Sequence, residues 1–514
     1  MSSKLKLILK GSSFRVLQTV VSIVIGILMM PFLVSTLGKE LYGLWIVIGS
    51  IVGTYYLLDL GFNQAVTRYV SKYIHQNNVE AANRTINTAL VIYSLLGVVV
   101  LIASIIAAQF GAEKLMGSSS NLTLAQTILM ITGLAFALEF PAKAFPGIIS
   151  AYMRYDFIAM VRLSKSVVDA LLIYYFISRG YGLVAMAVVT LVTGIISTFI
   201  YIRFTTSLFK ELTFSKKAID LSTLKDVFHF SKWVFVIDIS TMLRDKMDIW
   251  FIAYYINNSA LTVYYVAVRL VEYALQFLSQ ATGITGPIFT EYYAKGEVAK
   301  LTKSVVFFIK INITLGTLMF VGFYLLGGTF IEAWMKGSVS TQDAFFCLII
   351  LSMGRFAAYF SGPLSSLLMT INKHYIGAWV SIGETLVGFI LCWLLIPKFG
   401  IAGAAGAIAI PYAIGRLIIL PIISAKYVDL PFIAVLTRIL MFHVATFVLV
   451  AGVLLVFPGI RHLSLLQLIA VAPLVAISQM MLSFVLWNRE ERVLIITTIH
   501  KKFQSLISKR IRHV

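Results

Sequence analysis

The chain has 514 residues, 59% of them hydrophobic and only 12% charged, against about 25% charged in soluble domains. The formal net charge is +20, but the basic residues lie in short segments between apolar runs; this excludes a soluble globular protein and the continuous basic surface that nucleic acid requires. Cys347 and Cys392 fall inside apolar runs, so no disulfide framework, metal site or cofactor is expected.

Residues 1–15 are basic and amphipathic, and the apolar run behind them continues past about 20 residues without a small-residue cleavage pattern, which makes it a retained span and not a signal peptide. A window of about 19 residues predicts helices near 14–36, 41–60, 86–108, 124–148, 158–178, 183–203, 233–256, 263–287, 304–326, 344–370, 376–396, 401–424, 438–457 and 465–487. The expected fold is therefore an all-α polytopic membrane protein of about fourteen transmembrane helices. Twenty-nine of the forty-two Lys and Arg residues fall on one side of that arrangement. Only Lys39, Lys114, Arg179, Lys336, Lys398 and Arg461 fall on the other. The alternation puts both termini in the cytoplasm and the chain in the cytoplasmic (inner) membrane. The outward loops are too short to hold a catalytic domain, so no enzyme activity is expected.

The longest inward segment separates six predicted helices from eight. Shifting the chain by 218 lays Tyr181-Gly182-Leu183-Val184-Ala185 over Phe399-Gly400-Ile401-Ala402-Gly403, and a shift of 220 brings Leu44-Trp45 near Tyr264-Tyr265. The expected organisation is an N-terminal lobe of six helices at 1–203, a basic cytoplasmic linker at 204–232 and a C-terminal lobe of six at 233–424. Two further helices follow at 425–487, then a basic amphipathic tail at 488–514 lying on the inner leaflet. Even numbers of spans give the two copies the same orientation, with a pseudo-two-fold axis along the membrane normal.

The run Lys232–Asn257 has membrane-spanning length but carries Asp238, Arg244, Asp245, Lys246 and Asp248. Arg244 lies about 18 Å along the helix from Lys232, near mid-depth. Even the lowest estimates for a lone charge there are about 2.5 to 3.5 kcal/mol, so such groups face a bundle interior or a wet cavity. At about 100° per residue, Asp238, Thr241, Arg244, Asp245 and Asp248 share an arc of roughly 120°. Two readings stand: a helix lining a hydrophilic chamber, or a structural cluster in which Arg244 pairs with Asp248 at i,i+4.

Leu37-Gly38-Lys39-Glu40-Leu41-Tyr42-Gly43-Leu44-Trp45, with Leu58-Asp59-Leu60-Gly61-Phe62-Asn63-Gln64-Ala65 and Arg68-Tyr69, resembles the first hairpin of the polysaccharide transporter family in the multidrug/oligosaccharidyl-lipid/polysaccharide exporter superfamily. Asp248-Ile249-Trp250-Phe251-Ile252 and Val263-Tyr264-Tyr265-Val266-Ala267-Val268-Arg269-Leu270 are similar to the start of that family's second half. The resemblance implies a Wzx-type flippase moving undecaprenyl-diphosphate-linked oligosaccharide between leaflets, with two lobes in a V around a cationic cavity. A polymerase and glycosyltransferases are implied as partners.

The candidate cavity cations are Lys143, Arg244, Lys246, Arg269, Arg355 and Arg416, since fixed cations suit a diphosphate and arginine adds bidentate geometry. Structural alternatives are pairing of Lys143 with Glu139 and of Arg269 with Glu272. Arg355 and Arg416 have no acid on their own helices, and Lys310 is expected to snorkel from a helix end. Asp59, Asp169, Asp238, Asp245, Asp248 and Glu384 are candidates for proton or sodium coupling, with helix capping as the alternative for Asp59. Gly49 and Gly53 are expected to mark close helix packing. Two alternatives remain within the superfamily, a peptidoglycan-precursor (lipid II) flippase and a cation-coupled drug antiporter.

Overall fold

The computed structural model describes residues 3–59, 62–111, 122–214, 222–282, 285–427, 432–456, 465–487 and 491–493, and among them every regular element is helical. Backbone in lipid must satisfy its own hydrogen bonds, and a helix does so within one segment. The first part of the chain forms α1 (Ser3–Leu37), α2 (Lys39–Thr54), α3 (Phe62–His75), α4 (Val79–Ile106), α5 (Leu122–Ala142), α6 (Ala144–Ala151), α7 (Tyr155–Ser178) and α8 (Gly182–Leu208). The second forms α9 (Ser222–Tyr255), α10 (Asn258–Thr282), α11 (Thr285–Ala294), α12 (Val298–Met335), α13 (Thr341–Tyr359), α14 (Gly362–Thr370) and α15 (His374–Ile414), the last continued by a π turn at Gly415–Ile419 and one helical turn at Leu420–Ser424. Then come α16 (Phe432–Val456) and α17 (Leu465–Leu482).

All fourteen expected spans fall on helix over their described residues. Nine helical stretches among these residues are long and apolar enough to cross a membrane, and one of them, His374–Ser424, holds two of the expected spans. Its two runs join at Gly400, whose φ of 60° and ψ of −140° lie outside helical space and favour glycine. Just beyond, a Cβ at Gly403 would stand 2.4 Å from the Leu395 carbonyl oxygen, so the return run needs glycine there as well.

The second part repeats the first. Ser3 and Ser222, Lys39 and Asn258, Val79 and Val298, Leu122 and Thr341, and Tyr155 and His374 open paired helices at a constant offset of 219 residues. The packing repeats too: α1 lies on α7 as α9 lies on α15, α4 on α5 as α12 on α13, and α3 on α6 as α11 on α14. Two short helices, α3 and α11, were not expected. They occupy matching places after the second helix of each set, and α3 is strongly amphipathic with Lys72 and His75 in its last turn.

The sets meet mainly where α2 packs on α10. The Thr262 hydroxyl donates to the Lys39 carbonyl at 2.6 Å, the Trp250 indole to Ser50 Oγ at 2.9 Å and the Trp334 indole to the Ile27 carbonyl at 2.6 Å. A Cβ at Gly43 would lie 2.0 Å from the Asn258 carbonyl oxygen, so the backbones touch there. Lys39, Asn258 and Trp334 all stand at the sparsely basic ends of their helices.

The segment expected as a linker is shorter than 204–232, because α8 runs to Leu208 and α9 starts at Ser222. Its first residues are fastened to α4: Asn83 donates to the Glu211 carbonyl at 2.9 Å, Asn87 to that of Thr213 at 2.8 Å, and the Thr213 amide returns a bond to Asn83. Gly49 and Gly53 do not mark close packing, since a Cβ at either would meet open space. The tail beyond residue 493 lies outside the described residues.

Candidate functional site

Three arginines from three helices converge in the second set. Arg244 on α9 donates to Glu384 Oε2 on α15 at 2.7 Å. Arg416, in the π turn after α15, donates to Glu384 Oε1 at 2.7 Å and Oε2 at 3.1 Å, and to Ser381 Oγ at 2.9 Å. Arg355 on α13 donates to Asp245 Oδ1 at 2.8 Å, and Arg244 approaches the same oxygen at 3.4 Å. All three guanidiniums surround one ring, with Cζ atoms 4.5, 5.0 and 5.4 Å from the centroid of Tyr412 for Arg244, Arg355 and Arg416. A ring face attracts cations and holds them without neutralising them.

Three guanidiniums contact two carboxylates, and a third carboxylate, Asp248, stands on the wall of the cavity that Arg355 lines. The Glu384 side chain is 2% exposed and that of Arg244 5%, whereas Arg355 is 18% exposed and Asp245 35%. The cluster therefore opens at Asp245 and Arg355. That edge lines a cavity of about 300 Å³ between α9, α10 and α13, with Asp248, Glu272 and Gln276 on its walls.

Several expectations are corrected here. Arg244 does not pair with Asp248; it reaches Glu384 instead, and Asp248 accepts from the Tyr264 hydroxyl at 2.6 Å. Arg355 and Arg416 do have carboxylate partners, Asp245 on α9 and Glu384 on the antiparallel first run of α15. All three arginines belong to the second set. Lys310 does not snorkel: it is 4% exposed at its side chain and bound by Glu491 at 2.7 and 2.9 Å. Arg269 pairs with Glu272 at 2.9 Å, as the structural alternative held. Half-buried Lys246 and exposed Asp238 take no part in the cluster.

The first set holds the remaining candidates. Lys143 sits at the break between α5 and α6, where its carbonyl accepts from Asn63 Nδ2 at 2.9 Å. Its amine makes no hydrogen bond to Glu139; it lies 3.8 Å from the Phe140 ring centroid and 5.3 Å from that of Tyr56. Asp59 accepts from the Tyr93 hydroxyl and from the Asn63 amide near the start of α3, which fits its capping alternative. Asp169 pairs with Lys165 at 2.9 Å. Sequence reasoning missed Tyr412 and Ser381, because uncharged side chains in an apolar helix carry no signal of depth or direction.

The family model described as "Polysaccharide biosynthesis protein" matches residues 8–293, more than half of the chain. The chain belongs to this family. Among curated relatives, it is 22% identical over 326 residues to the uncharacterized membrane protein EpsK of Bacillus subtilis, a match spanning 62% of this chain and 64% of that one, just under two thirds of its length. It is 22% identical over 367 residues to the uncharacterized membrane protein MJ1068 of Methanocaldococcus jannaschii, covering 67% of this chain and 69% of that one. Among solved structures it is similar to the lipid II flippase MurJ in an inward closed conformation, with a TM-score of 0.69, 17% identity, and 91% of this chain and 98% of that one covered. An inward-facing multidrug resistance MATE family transporter gives a TM-score of 0.62 at 15% identity, over 81% of this chain and 98% of that one. At these identities the likeness shows the fold alone, an all-helical architecture.

Proposed function

We propose that this protein is a flippase for undecaprenyl-diphosphate-linked oligosaccharide, an O-antigen, capsule or exopolysaccharide repeat unit, and that it is not an enzyme. The observation that carries this reading is the buried cluster of three arginines, which presents Arg355 to a polar cavity, in a polysaccharide biosynthesis family member. The head of such a lipid is an anionic diphosphate with many hydroxyls, and it must leave water to cross. Arg355 at the rim offers planar donors to the diphosphate, and Gln276, Glu272 and Asp248 offer partners to sugar hydroxyls. Charge-assisted bonds of this kind are roughly twice as strong as neutral ones.

In this reading residues 1–203 and 233–424 are the two moving lobes, with 425–487 appended and both termini cytoplasmic. In this reading the contacts at the Lys39, Asn258 and Trp334 ends close the extracytoplasmic side. Asp245 is the group we assign to coupling. It is the carboxylate that an incoming phosphate would displace from Arg355, and a proton taken up there would free the guanidinium. A lipid II flippase uses the same chemistry on another glycan, so glycan identity separates the two. A drug cation would meet the carboxylates of the same cavity, so drug export is the competing outcome that the test must separate. Complementation of a strain lacking the protein tests the reading: restored surface glycan supports it, and restored drug export without glycan overturns it.

A further inference from the structure

The two antiparallel runs of α15 leave a groove that every other described helix leaves uncovered. Its lining, from Tyr375 to Tyr427, comes entirely from α15 and its continuation, and it encloses about 670 Å³. Polarity is confined to one end. There Lys426 lines the groove, and the Lys373 amine lies 5.8 Å from both the Tyr375 and Tyr427 ring centroids. Among the described residues neither lysine forms an ion pair. Away from that end the walls are Trp379, Val387, Ile414 and Ile419, all exposed, with Trp379 at 61%. Glu384 at the floor is consumed by Arg244 and Arg416.

We propose that this groove binds an anionic phospholipid of the surrounding leaflet, with its phosphate between Lys373 and Lys426 and an acyl chain along Trp379, Val387, Ile414 and Ile419. The two lysines supply charge complementary to a phosphodiester, and the apolar walls suit a chain and nothing hydrophilic. The occupant is a resident lipid, not cargo on its way to the arginines. A Cβ at Gly415 would lie 2.4 Å from Glu384 Oε1, so the floor is closed to anything of glycan size.

Gly383 lines the groove, and a Cβ there would meet nothing within 4 Å. Gly383→Phe therefore starts its side chain in open groove space. The full chain, released from detergent into a mass spectrometer, is offered phosphatidylglycerol and phosphatidylcholine of matched chains. Two lysines at a membrane surface should favour the anionic lipid about tenfold or more. The double substitution Lys373→Gln, Lys426→Gln should remove that preference, and Gly383→Phe should abolish retention of both lipids. Millimolar inorganic phosphate should not displace the lipid. Equal retention of the two lipids by the unmodified protein would overturn the proposal even if a variant failed to fold. So would an unchanged preference in both variants, or displacement by inorganic phosphate.

Discussion

Glu384 accepts from two guanidiniums while almost fully buried, so it carries more of the site than any single arginine. Removing one partner of a buried ion pair typically costs about 3 to 5 kcal/mol, because the charge left behind is uncompensated. Glu384→Ala should therefore lower the thermal midpoint of the purified protein by several degrees. Glu384→Gln, which keeps the hydrogen-bonding oxygen, should lower it less. Equal midpoints for Glu384→Ala and the unmodified protein would show that the pairs contribute nothing to stability. The sequence marked Arg244, Arg355, Arg416, Asp245 and Glu384 as buried charges, because charge inside an apolar run is visible as such. It did not reveal who pairs with whom. Arg244 and Asp248 stand one turn apart, yet the contact forms across helices to Glu384, and spacing along one helix says nothing of the helix opposite.

At the scale of elements, the repeat was legible because helix starts keep a constant offset, even where few residues are identical. The expected shifts of 218 and 220 bracket the observed 219. Helices α3 and α11 were not legible, being too short and polar for a window tuned to spans. The turn in α15 was expected between two helices, and Gly400 makes it. A β-branched residue held at positive φ costs about 1 to 3 kcal/mol. Gly400→Val should accordingly reduce the thermal midpoint and the amount of folded protein in the membrane, whereas Gly383→Ala, in ordinary helix with free space, should lower neither. A Gly400→Val protein as stable as the original would mean that the two runs join differently.

For the whole molecule, the account is one of two repeated helix sets closed at one end and charged within. Lys39 and Thr262 are joined across the closed end, so cysteines placed at both should form a disulfide that stops transport until it is reduced. Transport by a fully crosslinked sample would argue for a fixed pathway. Reporter fusions after Lys39, Arg179, Lys336 and Lys398 should be active only with an extracytoplasmic reporter, and a fusion after Lys502 only with a cytoplasmic one; two reversed sites would break the topology. The central claim is that the buried arginines act on the diphosphate of a lipid-linked glycan. Its most direct test is surface glycan in a strain carrying Arg355→Gln or Arg416→Gln, with membrane levels of the protein measured alongside. Loss of a charge-assisted contact worth about 1.5 to 3 kcal/mol corresponds to roughly tenfold or more in rate. The account predicts at least that loss for both Gln variants at normal protein level, with partial activity for the Lys variants. Export at the unmodified rate by both Gln variants would contradict it.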